Sequence, residues 1–411
     1  MSFKDLSLIK PLLKALDTLG YIEPTLIQEK TIPAVLNKKD VIASAQTGTG
    51  KTAAFALPIL QLLIDYQDVP KHKKTIKSLV VSPTRELAVQ INDNFKAYGK
   101  YTNLRSMVIF GGTSIEPQLD LLKKGADILV ATPGRLLDLH KQDLINLDYV
   151  EILVLDEADL MLDMGFIDDV RKIERLCRNK KQSLLFSATI PAKVEDLAKS
   201  ILNQPERIDV STSTIIPPSL EMSLYYVSKR NKMKLCLHLL RNHIKGNVLI
   251  FRRTKFGVDK LEQKLLEHKY KVDSIHGNKD QSQRQTALNK FKSGYVSILI
   301  ATDVASRGID IDELDVVINF DLPNVPETFV HRIGRTARAG QSGKVISLCS
   351  PDEKNYIKSI ERFLNTPLQI VDDQPYPLDP KAKPEVHKKK GSKYKKGRKS
   401  VASKKKKKRW Y

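Results

Sequence analysis

Two short segments carry groups suited to phosphate and metal chemistry. Ala45-Gln46-Thr47-Gly48-Thr49-Gly50-Lys51-Thr52 follows an apolar run, Val41-Ile42-Ala43, and precedes an apolar stretch that begins at Ala53. Glycines in this position let backbone N–H groups curl around phosphate oxygens, and the helix that follows adds the positive end of its dipole. Lys51 would neutralise β- and γ-phosphate charge, and the Thr52 hydroxyl would serve Mg2+. Farther along, the run Ile152-Leu153-Val154-Leu155 ends in Asp156-Glu157-Ala158-Asp159. Carboxylates at the carboxyl end of a parallel strand sit on the rim where such sheets bind ligands. Asp156 would hold Mg2+ through water, and Glu157 would orient or activate the attacking water. Each segment alone has a plain alternative, a glycine-rich turn or a solvated acidic turn. Together they make one site.

The elements that must position these groups are legible as short β-branched runs separated by helical spacing. Leu79-Val80-Val81, Met107-Val108-Ile109, Ile128-Leu129-Val130 and Leu184-Leu185-Phe186 join the two runs above in a first series. Val248-Leu249-Ile250-Phe251, Val272-Asp273-Ser274-Ile275, Ile298-Leu299-Ile300, Val316-Val317-Ile318 and Val345-Ile346-Ser347-Leu348 form a second. This predicts two doubly wound α/β domains with parallel sheets. Between the runs, Val258, Leu261, Leu265 and Leu266 are expected to form one apolar helical stripe. Polar and small residues from Asn203 to Ser219 read as a linker. The expected boundaries are 1–207 for the first domain, 208–219 for the linker, 220–370 for the second domain and 371–411 for a basic, disordered tail.

The net charge of +22 is unevenly spread. Residues 381–411 hold 16 Lys or Arg against one acid, Glu385, so the tail carries +15 and the preceding residues only +7. Such a tail suits a polyanion such as RNA, and equally a solubilising or weakly membrane-attracted segment. Cys177, Cys236 and Cys349 fit neither a disulfide framework nor a metal cluster. No signal-peptide-like start or long uncharged apolar stretch occurs, which points to a cytoplasmic protein with no membrane partner.

From Asp156-Glu157-Ala158-Asp159 outward, the chain resembles the DEAD-box RNA helicases of superfamily 2. The matching motifs are Gly20-Tyr21-Ile22-Glu23-Pro24-Thr25-Leu26-Ile27-Gln28, Pro83-Thr84-Arg85-Glu86-Leu87-Ala88, Gly111-Gly112, Thr132-Pro133-Gly134-Arg135 and Ser187-Ala188-Thr189. The second half supplies Leu249-Ile250-Phe251, Gln281-Ser282-Gln283-Arg284, Ala301-Thr302-Asp303, Arg307-Gly308-Ile309-Asp310 and His331-Arg332-Ile333-Gly334-Arg335-Thr336-Ala337-Arg338. Phe3 to Leu368 is covered, in the family's order. Leu26 departs from a common proline and Ala337 from a common glycine; neither change removes a reacting group. The stretch from Asp156 to Phe166 is most similar to the bacterial RhlE-type branch.

The resemblance implies two tandem RecA-like domains, ATP as substrate, Mg2+ as cofactor and RNA as partner. Gln28 would read adenine N6 and N7, Phe3 would stack on the base, and Gln46 to Thr52 would hold the phosphates. Phe3 without the resemblance reads as a core residue. Gly308 and Asp310 would face the ribose, and Arg335 and Arg338 would act as arginine fingers from the second domain, three residues apart and on one face if helical. Asp159, Ser187, Thr189 and His331 would couple the nucleotide to RNA. Thr84, Arg85, Gly112, Thr132, Arg135, Arg252, Arg284 and Thr302 would contact the RNA sugar-phosphate backbone. The implied function is an ATP-dependent RNA helicase with a monomeric core that opens short duplexes or remodels RNA–protein complexes, in ribosome assembly or RNA decay. A clamp or remodeller with little unwinding is the alternative within the family, and a non-catalytic RNA chaperone the alternative outside it.

Overall fold

The computed structural model describes residues 1–46, 48–65, 75–210, 219–306, 314–336 and 342–379. Thr47, Gly308, Asp310, Ala337, Arg338, most of the expected linker and all of 381–411 lie outside the described residues.

Apolar strand runs need cover on both faces, and the chain provides it twice. The first sheet comprises β1 (Val41–Ser44), β2 (Ser78–Val81), β3 (Ser106–Ile109), β4 (Ile128–Ala131), β5 (Ile152–Leu155), β6 (Gln182–Ser187) and β7 (Glu206–Asp209). The second comprises β8 (Leu220–Tyr226), β9 (Val248–Phe251), β10 (Val272–Ile275), β11 (Ile298–Ala301), β12 (Val316–Asn319), β13 (Gly343–Cys349) and β14 (Gln369–Ile370). All pairings within the named strands are parallel. Every residue of β2, β4, β5, β9, β11 and β12 is buried. Each fully buried Val, Leu or Ile contributes about 1.5–3 kcal/mol relative to exposure.

The spatial orders are β3-β4-β2-β5-β6-β1-β7 and β10-β11-β9-β12-β13-β8-β14, one sequence of positions used twice. Register agrees as well. Ser44 pairs with Ser187 and Leu155 with Leu185 in the first sheet, as Tyr226 pairs with Cys349 and Asn319 with Ser347 in the second. The chain shows no sequence repeat, yet the backbone duplicates strand by strand.

Three strands escaped the sequence pattern. β7 crosses the expected 207/208 boundary; only Ile208 is buried, while Glu206 pairs with Lys39 at 2.9 Å and Arg207 with Glu195 at 2.7 Å. A charged, one-residue-deep edge strand looks like a loop in sequence, and its charges guard the edge. β8 and β14 are similarly mixed in polarity. The helical stripe holds for Val258, Leu261 and Leu265, but Leu266 is 54% exposed. At 3.6 residues per turn it falls about 80° beyond Val258, on the side away from Leu261. Residues 371–379, assigned to the tail, pack instead on the second domain: Gln374 Nε2 donates to Tyr226 O at 2.9 Å, and Tyr376 joins the core under Lys234. The three cysteines are buried and free, with their thiol pKa values pushed up to about 12 by burial. Among the described residues no helix is long and apolar enough to cross a membrane.

Candidate active site and inter-domain cleft

The loop after β1 needs backbone that only glycine tolerates. Gly48 and Gly50 have φ of 85° and 91°, and a Cβ on Gly50 would collide with the Gln28 amide. Thr49 Oγ1 donates to Gln46 O at 2.7 Å, and Thr25 Oγ1 donates to Thr49 O at 2.8 Å. Gln28 is buried: its Oε1 accepts from Thr25 N–H at 3.0 Å and its Nε2 donates to Gly50 O at 3.2 Å. The amide therefore ties the expected base-reading segment to the phosphate loop, with one donor and one acceptor position remaining. Phe3 is 4% exposed and meets Tyr21 edge-on at 6.2 Å.

Lys51 opens the helix Lys51–Asp65 and is buried beside the end of β5, where its Nζ donates to Glu157 Oε1 at 2.9 Å. Burial works against the lysine charge, but Glu157, Asp156 and Asp159 outweigh it and raise the Lys51 pKa above its ordinary value. Glu157 holds φ 55°, ψ 56°, a left-handed conformation costly for a side chain with a Cβ. That strain turns the chain sharply from strand to helix Ala158–Asp163 and places two successive carboxylates at one rim. Burial, then the charge of Glu157, pushes Asp156 up to about 7.

Asp156 Oδ1 is buried without a hydrogen-bond partner. A buried carboxylate oxygen with no hydrogen-bond partner and a threonine hydroxyl on a half-buried Thr52 are groups that fit Mg2+ in a nucleotide site. Among the described residues no group of three or more His, Cys, Asp or Glu could hold a metal.

Asp159 joins the halves of the molecule. Its N–H donates to Ser187 Oγ at 3.1 Å, and its Oδ2 accepts from both Thr189 N and Thr189 Oγ1 at 2.9 Å. From the second domain, His331 Nε2 lies 3.5 Å from the same oxygen. Burial opposes ionisation, but the His331 hydrogen bond and charge, Lys51 and the Thr189 N–H hold Asp159 well below the usual carboxylate range. All four residues expected to couple the sites are thus in one connected set.

Arg335 is buried, 6% exposed, but is not helical. Helix Pro326–Ile333 stops at Gly334, and Thr336 bridges to Leu314, its hydroxyl donating to Leu314 O. The one-face argument needed a helix running through Arg335, and Gly334 ends the helix before that residue.

A cavity of about 470 Å3 opens between the domains, and Thr84, Arg85, Thr132, Arg135 and Arg284 all line it. Thr84 caps helix Arg85–Tyr98, accepting from Leu87 N–H at 3.4 Å. Arg85 Nη1 donates to Gly112 O at 3.5 Å, and Gly112 has φ 71° with no room for a Cβ against that guanidinium. Burial and the nearby Arg284 lower the Arg85 pKa, Glu86 opposes them, and Arg135 lowers it further. Cations crowded in this way favour a polyanion. Arg135 Nη2 donates to Thr113 O at 2.9 Å. Arg252 is not on the cavity wall: it stacks on Phe320 at 4.2 Å, its Nε 3.3 Å from Asp321 Oδ2. Thr302 follows β11 where Thr132 follows β4.

Two groups in these motifs had no role assigned from sequence. Glu86 Oε1 pairs with Arg284 Nη2 across the domains at 3.0 Å, with both side chains largely buried. Arg332 is 2% exposed and makes a bidentate pair with Asp303 at 2.6 and 2.8 Å, while its Nη1 donates to Asn319 Oδ1 and Asp321 O. It anchors the helix that presents His331. Charge at a motif position is the only sequence signal for either, and it does not name a partner.

Fold and site define a P-loop nucleotide hydrolase built from two domains of one design. Residues 25–197 match the DEAD/DEAH box helicase family, and residues 231–340 match the helicase conserved C-terminal domain. RhpA of Helicobacter pylori, a DEAD-box ATP-dependent RNA helicase, is 41% identical over 371 residues, 90% of this chain and 74% of the relative. Dbp5 of S. cerevisiae, solved bound to RNA and ADP BeF3, superposes with a TM-score of 0.79 at 31% identity, covering 90% of this chain and 95% of that one. A DEAD box protein from Methanococcus jannaschii is 39% identical over 90% of this chain and 99% of its own, with a TM-score of 0.51. The chain belongs to the DEAD-box ATP-dependent RNA helicases.

Proposed function

We propose that this RNA-dependent ATPase fires only when its two domains are apposed on RNA. The observation that carries this reading is Asp159, whose one carboxylate meets Thr189 on the nucleotide side and His331 on the other domain. Gln28 and Gln46 to Thr52 hold ATP, with Lys51 on the β- and γ-phosphates and Phe3 supporting the base-binding segment. Thr52 and Asp156 would hold Mg2+, which when bound neutralises phosphate charge. A γ-phosphate competes with Glu157 for Lys51, so nucleotide binding frees the Glu157 carboxylate to orient the attacking water and take its proton. Gly308 and Asp310 serve the ribose, and Arg335 and Arg338 stabilise charge developing on the transferred phosphoryl group.

Thr84, Arg85, Gly112, Thr132, Arg135, Arg284 and Thr302 hold the RNA backbone, while Arg252 shapes the second-domain wall through Asp321. Arg284 also latches the domains through Glu86. The better superposition on RNA-bound Dbp5, despite lower identity than the Methanococcus jannaschii chain at equal coverage of this chain, supports an apposed arrangement as the RNA-engaged one. Divergence within the domains would give the opposite ranking. We place the first domain at 1–210 and the second at 219–379. The RhlE-type branch, a cytoplasmic location and a role in ribosome assembly or RNA decay complete the reading.

ATP turnover with and without RNA tests it. Turnover is expected to rise at least tenfold with single-stranded RNA, and RNA-independent turnover would overturn the coupling. Strand displacement on a short duplex separates local unwinding from clamping.

A further inference from the structure

The second domain contains a lysine where the first has Lys51. Laid order on order, β8 takes the place of β1 and β12 the place of β5. Lys51 heads the helix after β1 and reaches across to Glu157, second after β5. Lys232 heads the helix Lys232–Asn242 after β8 and reaches across to the end of β12, donating to Phe320 O at 2.7 Å with Asp321 Oδ1 at 4.0 Å. Both lysines are buried, Lys232 at 2% exposure.

What surrounds them differs. The first loop has two glycines at positive φ, whereas Val227-Ser228-Lys229-Arg230-Asn231 has none. In place of open rim, Glu353 projects onto Lys232, its Oε2 at 2.5 Å from Nζ. That carboxylate is otherwise saturated in the way a bound oxyanion is. Oε2 also accepts from Ser350 N and Oγ, and Oε1 accepts from Arg253 Nη2 at 3.0 Å and Leu322 N at 3.2 Å. A lysine, an arginine, a hydroxyl and two backbone N–H groups converging on one buried anion is the donor set of a phosphate cradle.

We propose that the second domain retains an oxyanion cradle, filled from within by the Glu353 carboxylate, and that removing this carboxylate exposes a site for inorganic phosphate. The internal ligand accounts for a second domain that keeps the lysine and the strand geometry of a nucleotide site yet stays closed to solvent. It also holds β9, β12 and β13 together at their carboxyl ends, where Arg252 and Asp321 sit. The inference does not depend on the RNA reading above.

Thermal unfolding of the full chain tests it, with Lys51→Ala in every arm to weaken phosphate binding at the first-domain loop and the parent as the control for what remains. Sodium phosphate is titrated against sodium chloride of matched ionic strength. Glu353→Ala is expected to lower Tm, and phosphate to raise it saturably, on the order of 5 °C at a hundredfold excess over Kd. The parent, with Glu353 in place, and the double variant Lys232→Met/Glu353→Met show no phosphate-specific rise. An equal rise in the parent, or a rise that survives in the double variant, would overturn the proposal. Should Glu353→Ala be insoluble in chloride, soluble yield becomes the readout: recovery in phosphate supports the cradle, and equal loss in both buffers refutes it.

Discussion

Lys51 and Lys232 occupy matching places in two sheets of one order, and they have opposite fates. Lys51 lies under a glycine loop, and beside it Asp156 Oδ1 is buried without a partner. Lys232 sits in a network in which both Glu353 oxygens have several donors. The first arrangement leaves charge unsatisfied and therefore available to a ligand; the second spends the same groups on holding the domain together. Both lysines face a carboxylate of the chain, Glu157 or Glu353; what differs is that four further donors, from Ser350, Arg253 and Leu322, saturate Glu353.

Four changes break or sharpen this contrast. Glu157→Gln should lower kcat by about 10²–10⁴-fold while ATP still binds, and wild-type turnover in single-turnover assays would remove Glu157 from the water-activating role. At the matching site the cost is to folding instead. Lys232→Met removes one of five donors from a buried carboxylate that keeps Arg253, Ser350 and Leu322 and should destabilise by about 1.5–3 kcal/mol, measured by urea unfolding; a change below about 0.5 kcal/mol would mean the network is relaxed in solution. Asp159→Asn weakens the link to Thr189 and His331, and RNA stimulation of turnover should fall about tenfold, with ATP affinity in the absence of RNA much less affected. Equal losses in both would make Asp159 structural.

The smallest effect is on pH. Asp156 is raised to about 7, so below that pH the carboxyl is protonated, and Mg2+ binding must release the proton. Mg2+-dependent ATP affinity should therefore fall as pH drops below about 7, by up to about tenfold per unit. Acidification removes an unfavourable buried charge here, so this group by itself favours the folded state more as pH falls from about 7 toward 4. Affinity that stays flat between pH 5.5 and 7.5 would place Asp156 outside the metal site.

Much of this was written in the sequence. Apolar runs identified most strands because parallel strands buried on both faces must be continuously hydrophobic. Gly48, Gly50, Lys51, Asp156 and Glu157 were legible because phosphate chemistry restricts residue type at each position. β7 and β8 were not, because edge strands and mixed faces carry little hydrophobic signal. Residues 371–379 were read as tail on composition, yet Gln374 bonds to Tyr226 and Tyr376 packs on the second-domain core.

The partners of charged side chains were decided only by tertiary structure. Glu86 with Arg284, Arg332 with Asp303, Asp159 with His331 and Lys232 with Glu353 are all far apart in the chain. An ion pair depends on distance and burial, and residue type reveals neither. The strand-for-strand duplication was hidden for a related reason. Sheet order and register are set by backbone hydrogen bonds and by which apolar faces meet, so two unlike sequences can satisfy the same geometry, one leaving a site open and the other closing it.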